Sequence, residues 1–200
     1  MIDFNTVTEF EQTIAEFFGA TEAVAVDCCT HGIELCLRLT QPQQVTCPEH
    51  TYISIPFTFE KLNLTWQWER NLWSGQYLIG GTNIVDAASV WQRGQYQSGT
   101  MTVLSFQFQK AMKLGRGGMI LLDDAAAAQQ LRAMSYDGRQ RGTGWREQQI
   151  NHIGYHYYMT PETAALGLEK FKILQHVRWA HQIWSDYPYL PNMPVFKNAQ

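Results

Sequence analysis

Lys110 sits in a loop between two apolar, β-prone runs, a place where an amine can act as a nucleophile. In TMTVLSFQFQKAMKLGRGGMILLDD, residues 100–124, the runs Thr102–Phe106 and Met119–Leu122 read as strands, and Gly115, Gly117 and Gly118 mark a tight turn between them. Burying an ammonium is costly unless something compensates it. Taken alone, the stretch also reads as a loop carrying two solvated lysines, Lys110 and Lys113. Three further features lie at comparable strand ends. Asp86 closes the strand over 83–86 and is followed by the small residues Ala87, Ala88 and Ser89. Thr30 lies in DCCTHG, between the strand at 23–26 and a helix. A strand, a small polar turn and a helix start can form an anion site, since free N–H groups and the helix dipole converge there. An ordinary strand-to-helix connection shows the same pattern. His50 and Tyr52 place aromatic rings after the next strand, and Ser105 lies just upstream of Lys110.

Together these are the parts that pyridoxal phosphate requires. A lysine forms the Schiff base, an acid pairs with the pyridinium nitrogen so that the ring acts as an electron sink, an anion cradle holds the phosphate, and an aromatic ring stacks on the cofactor. Other chemistries find less support. His152 and His156 fall in a loop, and His176 and His181 do not share one helix face, so they read as structural or surface histidines and no metal is assigned. No G-x-S-x-G elbow is present, and the glycine turn is neither a G-x-G-x-x-G nor a Walker loop.

The elements that must position these groups alternate along the chain. Residues 4–19 predict an amphipathic helix with Thr8 as N-cap and Gly19 as stop, its apolar face carrying Phe10, Ile14, Phe17 and Phe18. Strands are predicted at 23–26, 45–48, 64–68 and 83–86, with helices after the first two. Residues 70–82 show no period and read as irregular, and 94–99 read as a polar turn. AAAAQQLRAM is helical by propensity, whereas the glycine-rich, basic segment 136–149 reads as a mobile loop. Thr160-Pro161 opens a long C-terminal helix over about 160–186, followed by an extended proline-rich tail, 188–194. Short strands alternating with helices predict an α/β fold with a mostly parallel sheet.

The 200 residues suit one domain, and the net charge of −3 leaves no basic face for a phosphate backbone, so no nucleic-acid partner is expected. Seven Trp, nine Tyr and ten Phe suit large buried surfaces or an oligomer interface. Cys28, Cys29, Cys36 and Cys47 form no CxxC pair and no secretory signal precedes them, which leads to free thiols in a reducing cytoplasm. No apolar run reaches the roughly 18 residues of a membrane span.

Four segments resemble the DegT/DnrJ/StrS-type sugar aminotransferases, fold-type-I pyridoxal phosphate enzymes. FEQTIAEFFGATEAVAVDCCTHGIEL is similar to the family's opening helix, strand and S-S-G-T-x-A-L turn, and VTCPEHTYIS to its V-P-x-x-T-F segment. IVDAASVW with SFQFQKAMKLGRGGMILLDD resembles E-D-A-A-Q and S-F-H-P-x-K-x-x-x-x-G-E-G-G-M, and GYHYYMTPETAALGLEKFK resembles G-Y-N-x-R-M-s-x-x-q-A-A-L-G. The resemblance implies a truncated aminotransferase-like large domain over 1–200, a three-layer sandwich. It implies pyridoxal 5'-phosphate as cofactor, and a homodimer with shared active sites. The reaction implied is transamination of a nucleotide-linked keto sugar by an amino acid donor such as glutamate. Position by position, Lys110 takes the place of the Schiff-base lysine and Asp86 pairs with the pyridinium. Thr30, the backbone at Cys29, and Ser105 bind phosphate, and Tyr52 stacks on the ring. Ser89 stands in the place of a glutamine. His156 stands in the place of an asparagine, in a segment that reaches a neighbouring subunit's phosphate.

This sequence departs from the pattern at several places. Cys29 replaces a glycine, Gln107 and Phe108 a histidine and a proline, Arg116 a glutamate, and Tyr158 an arginine. Between Trp68 and Asn83 the family has several dozen more residues, including a strand and a helix, and its C-terminal small domain is expected to be missing. The alternative that follows is a catalytically reduced relative acting as a binding or interaction protein.

Overall fold

A computed structural model describes residues 3–197. The first element, α1 (Phe4–Phe18), has a stripe of Val7, Phe10, Ile14, Phe17 and Phe18 that is fully withdrawn from water. Its cap is Asp3, which accepts from the Asn5 amide at 2.8 Å. The predicted cap, Thr8, lies inside the helix instead. Its hydroxyl donates to the Phe4 carbonyl, because the apolar period extends a turn further upstream than the cap signal suggested. After Gly19 the chain enters β1 (Glu22–Val26), α2 (Cys29–Thr40), β2 (Gln44–Pro48), α3 (Ser54–Lys61) and β3 (Thr65–Glu69). Next come β4 (Tyr77–Leu78), β5 (Ile84–Asp86), β6 (Met101–Ser105), β7 (Gly118–Leu122) and α4 (Ala125–Ser135). The last two helices are α5 (Pro161–Leu174) and the single turn α6 (Pro194–Lys197).

The main sheet has the order β1-β7-β6-β5-β4, and β2 and β3 form a separate parallel pair. Strands β1, β5 and β6 point the same way, while β7 and β4 run against their neighbours, so the expected mostly parallel sheet is mixed within its hydrogen-bonded pairs. The residues read as irregular supply β4, a two-residue strand too short to show a period. The two sheets touch at one bridge, where Thr46 and Gly80 exchange N–H···O bonds of 3.1 Å. A side chain at Gly80 would collide with the Thr46 hydroxyl.

Side-chain alternation on the strands feeds two cores. Val24, Val26, Ile120, Leu122 and Val103 face α2 and α4, whereas Ala23, Ala25, Met119, Leu121 and Leu104 face α1, against which α5 packs. The result is three layers. Glu11, only 2% exposed, joins α1, β1 and α4: it accepts from the Ala25 amide at 2.8 Å and pairs with Arg132 and Arg141.

Two predictions at the C-terminal end are corrected. The helix expected over about 160–186 ends at Leu174, where the last turn tightens, the Leu174 carbonyl accepting from the Val177 amide at 3.1 Å and from the Trp91 indole at 2.9 Å, and Ile173 is 72% exposed. The tail is not extended throughout: Leu190–Asn192 forms a 3-10 turn ahead of α6, anchored by the Leu190 amide on the Glu49 carbonyl. Within the segment read as a loop, 136–149, Trp145–Glu147 forms a 3-10 turn. None of the described helices is long and apolar enough to cross a membrane.

Candidate active site

The carboxyl ends of β1, β5 and β6 and the amino end of antiparallel β7 meet at one edge of the sheet. Ligands of α/β folds bind at such an edge. A cavity of about 410 Å³ lies there, within the size range of cofactor sites. Its lining includes Lys110, Asp86, Cys29, Thr30, Ser105, Tyr52 and Ser89.

Lys110 is held by the loop beneath it. Phe106 and Met112, buried on either side, anchor the loop, and the Phe106 amide donates to the Gly117 carbonyl at 2.9 Å while Leu114 donates back to Phe106. Burial pushes the Lys110 amine below its ordinary pKa, against the opposing pull of Asp86 and Cys29. Asp86 ends β5 at 6% exposure. Burial raises its pKa, although three groups favour the charged form: the Ala88 amide at 3.0 Å on Oδ1, the Tyr77 hydroxyl at 2.8 Å on Oδ2, and nearby Lys110. Tyr77 comes from β4, directly opposite Asp86 in register, and its hydroxyl also meets Thr51 Oγ1 at 2.5 Å. Burial thus displaces both the half-buried amine and the buried acid toward their neutral forms.

The turn at Cys28–Thr30 opens α2 with free backbone amides, an arrangement that can receive an anion. The first intrahelical bond of α2 runs from the Gly32 amide to the Cys28 carbonyl, so the amides of Cys29 and Thr30 precede the ladder. Cys28 Sγ accepts from the His31 amide at 3.4 Å, and the Thr30 hydroxyl meets Ser54 Oγ at 2.8 Å. Gly118 lets β7 approach: a Cβ there would stand 2.7 Å from both Cys28 C and Cys29 N. Gly118 also pairs with Ser105 across β6 and β7, so one residue joins both halves of the cradle.

The remaining predicted residues divide. Tyr52 stands at the open mouth, 59% exposed, where a stacked ring has room. The Ser89 hydroxyl lines the cavity yet is engaged by main chain, donating to the Gly75 carbonyl at 2.8 Å and accepting from the Gln182 amide. His156 lies outside this cavity, exposed and paired with Asp137 at 3.1 Å. The Arg116 charge is answered by Asp27 at 2.8 Å. Asp27, Cys28 and His31 are the one group among the described residues with three donors close enough for a metal ion, but they are engaged with one another. Burial opposes charge on His31. The hydrogen bond to Asp27 and the nearby Cys28 thiol nevertheless hold its pKa up at about 9, and its ring stacks 3.6 Å from Tyr157.

Sequence reasoning missed Trp73, Tyr77, Gln182 and Tyr187, all of which line the cavity. Tyr77 lies in the segment without a period, and Gln182 and Tyr187 lie in or just past the predicted helix. The aromatic excess was the only signal for three of them.

Comparison with known proteins shows the family and the fold. The family model of the DegT/DnrJ/EryC1/StrS aminotransferases matches residues 1–63 and 88–187. Among solved structures the chain is similar to AtS13 from Actinomadura melliaura, at 20% identity and TM-score 0.71 over 84% of this chain and 60% of that one. It is also similar to the sugar aminotransferase CalS13 from Micromonospora echinospora, at 17% identity and TM-score 0.72 over 86% of this chain and 61% of that one. DesI, solved in the presence of its TDP-sugar product, gives 20% identity and TM-score 0.67 over 86% of this chain and 54% of that one. The chain therefore spans about 60% of the length of AtS13 and CalS13. A search of curated proteins finds no match. The unmatched residues 64–87 contain β4 and β5, which supply Tyr77 and Asp86. With its motifs gathered at this edge and most of its length matched, the chain belongs to the DegT/DnrJ/EryC1/StrS aminotransferase family.

Proposed function

We propose that the chain is a pyridoxal-phosphate-dependent aminotransferase whose cofactor is held by Lys110. The observation that carries this reading is one cavity that brings together a half-buried amine, a buried carboxylate and the amino end of α2. The residues fit the group. The amides of Cys29 and Thr30, with Ser105 across Gly118, would hold the phosphate. Asp86, already braced by Tyr77 and Ala88, would face a ring nitrogen, and Tyr52 would cover the ring. The cofactor, when bound, supplies the electron sink that makes a substrate C–H acidic. Lys110 Nζ, its ammonium form disfavoured by burial, accepts that proton and returns it to a neighbouring carbon. Asp86, its charged form supported by Tyr77, Ala88 and Lys110 against burial, would stand opposite the ring, and the walls formed by Trp73, Tyr77 and Ile55 limit water.

The substrates we assign are a nucleotide-linked keto sugar and an amino acid donor such as glutamate, supported by likeness to CalS13, named a sugar aminotransferase, and to DesI with its TDP-sugar product. The chain acts in the cytoplasm as a homodimer, and His156, exposed on the outer face and paired with Asp137, would serve a neighbouring subunit. The test is stoichiometric formation of 2-oxoglutarate when cofactor-loaded protein meets glutamate. If the protein binds the cofactor yet forms no 2-oxoglutarate, and other amino acid donors likewise yield no keto acid, the chain is a cofactor-binding relative rather than an enzyme.

A further inference from the structure

Residues 182–187 bring to Lys110 a contact that the aligned motifs do not contain. Their backbone is pinned to the cavity rim at four points. The Gly75 amide donates to the Gln182 carbonyl at 2.9 Å, and the Gln182 amide to Ser89 Oγ at 3.3 Å. The Trp184 amide donates to the Trp73 carbonyl at 3.1 Å, and His50 Nδ1 donates to the Tyr187 carbonyl at 2.8 Å. Pinned this way, two side chains reach the lysine. Lys110 Nζ donates to Gln182 Oε1 at 2.6 Å; the Tyr187 hydroxyl donates to the same oxygen at 2.9 Å and lies 3.5 Å from Nζ. Both Asp86 oxygens already accept from other donors, so the direct partner of the amine is an uncharged amide. An N–H directed at that oxygen leaves the nitrogen lone pair on another side of the tetrahedron.

We propose that Gln182 is a positioning residue for Lys110, orienting the amine so that its lone pair faces the cavity, and that the Tyr187 hydroxyl braces the amide in that orientation. This rests on Lys110 being the cofactor lysine and adds a part for the end of the matched stretch, beyond the four motif segments. The titratable groups around the amine are Asp86, Cys29 and Tyr187, with Tyr77, Asp186 and Tyr52 further along the lining.

The test is pH-resolved competitive acetylation of the chain purified without added cofactor, read lysine by lysine by mass spectrometry with exposed Lys113 as internal reference. Gln182→Glu puts a carboxylate on the amine and moves the Lys110 labelling midpoint up by about one pH unit or more, a tenfold loss of reactivity at neutral pH. Gln182→Leu removes the acceptor and moves the midpoint down. Opposite shifts from one position are not what a merely structural residue gives. Combined with Tyr187→Phe, the Gln182→Glu shift is smaller than in the parent, a non-additivity expected of contacting residues. Unchanged midpoints in both Gln182 variants overturn the proposal, and strict additivity overturns the part given to Tyr187. The cofactor reading fails separately. If the midpoints move but pyridoxal phosphate gives no Lys110-dependent visible band, Gln182 positions the amine and the cofactor assignment is wrong.

Discussion

Gly118→Ala tests the cradle without touching any charge. The new Cβ would stand 2.7 Å from Cys28 C and Cys29 N, where ordinary contact begins at 3.4 Å, so about 0.7 Å of separation must be found. Both atoms are backbone, and β7 is held on each side by β1 and β6, which leaves no flexible side chain to yield. Overpacking of this kind costs about 1–3 kcal/mol. The strain falls between Ser105 and the amides of Cys29 and Thr30, and a displacement near 1 Å in a binding constellation is worth up to roughly 100-fold. Urea unfolding and titration with pyridoxal phosphate read the two effects, and Gly144→Ala, with no atom nearer than 3.5 Å, is the control. The expected result is a stability loss of about 1–3 kcal/mol with at least tenfold weaker cofactor binding in Gly118→Ala, and little change in the control. Wild-type stability and affinity in Gly118→Ala would show that the close approach of β7 does not shape the cradle.

Two further perturbations have defined signs. Asp86 has its pKa raised by burial, so its contribution to stability is present below the ordinary carboxylate range and is lost as pH rises through its elevated value. Cofactor-free Asp86→Asn is therefore more stable than wild type at pH 8, with the difference shrinking toward pH 4, while its affinity for pyridoxal phosphate falls; urea unfolding at both pH values that shows no such trend would contradict this. Glu11→Gln keeps the hydrogen bond from Ala25 but strips the countercharge from Arg141 and one of two from Arg132, which retains Glu22 at 2.8 Å, and a loss of roughly 3 kcal/mol by chemical denaturation is expected. A loss under about 1 kcal/mol would mean that Glu22 and solvent compensate the two guanidinium groups.

The parts of the site legible in the sequence were those whose residue type already implied a backbone position. Lys110, Asp86 and the Cys29–Thr30 turn lie at strand ends marked by small residues, and the structure brings all of them to one cavity. The helices α1, α2 and α4 and the flanking strands followed from period and propensity, apart from the cap at Asp3. What was illegible depended on contacts distant in sequence. The helical period runs past Leu174, yet the helix ends there, its last carbonyl bonded to Trp91, and the chain turns back to pair Ile183 with Ser74. Tyr77 acquires its place only when β4 pairs with β5, a register that two residues do not announce. Arg116, read as a reversed charge beside the site, finds Asp27 once β7 and the α2 turn are adjacent.

Lys110 carries the proposed chemistry more than any other residue. Its most direct test is the visible absorbance of the purified protein mixed with pyridoxal phosphate, compared with Lys110→Ala and Lys113→Ala. A band in wild type that is lost in Lys110→Ala and kept in Lys113→Ala is the predicted result. A wild type without the band, or a band that survives Lys110→Ala, would contradict it.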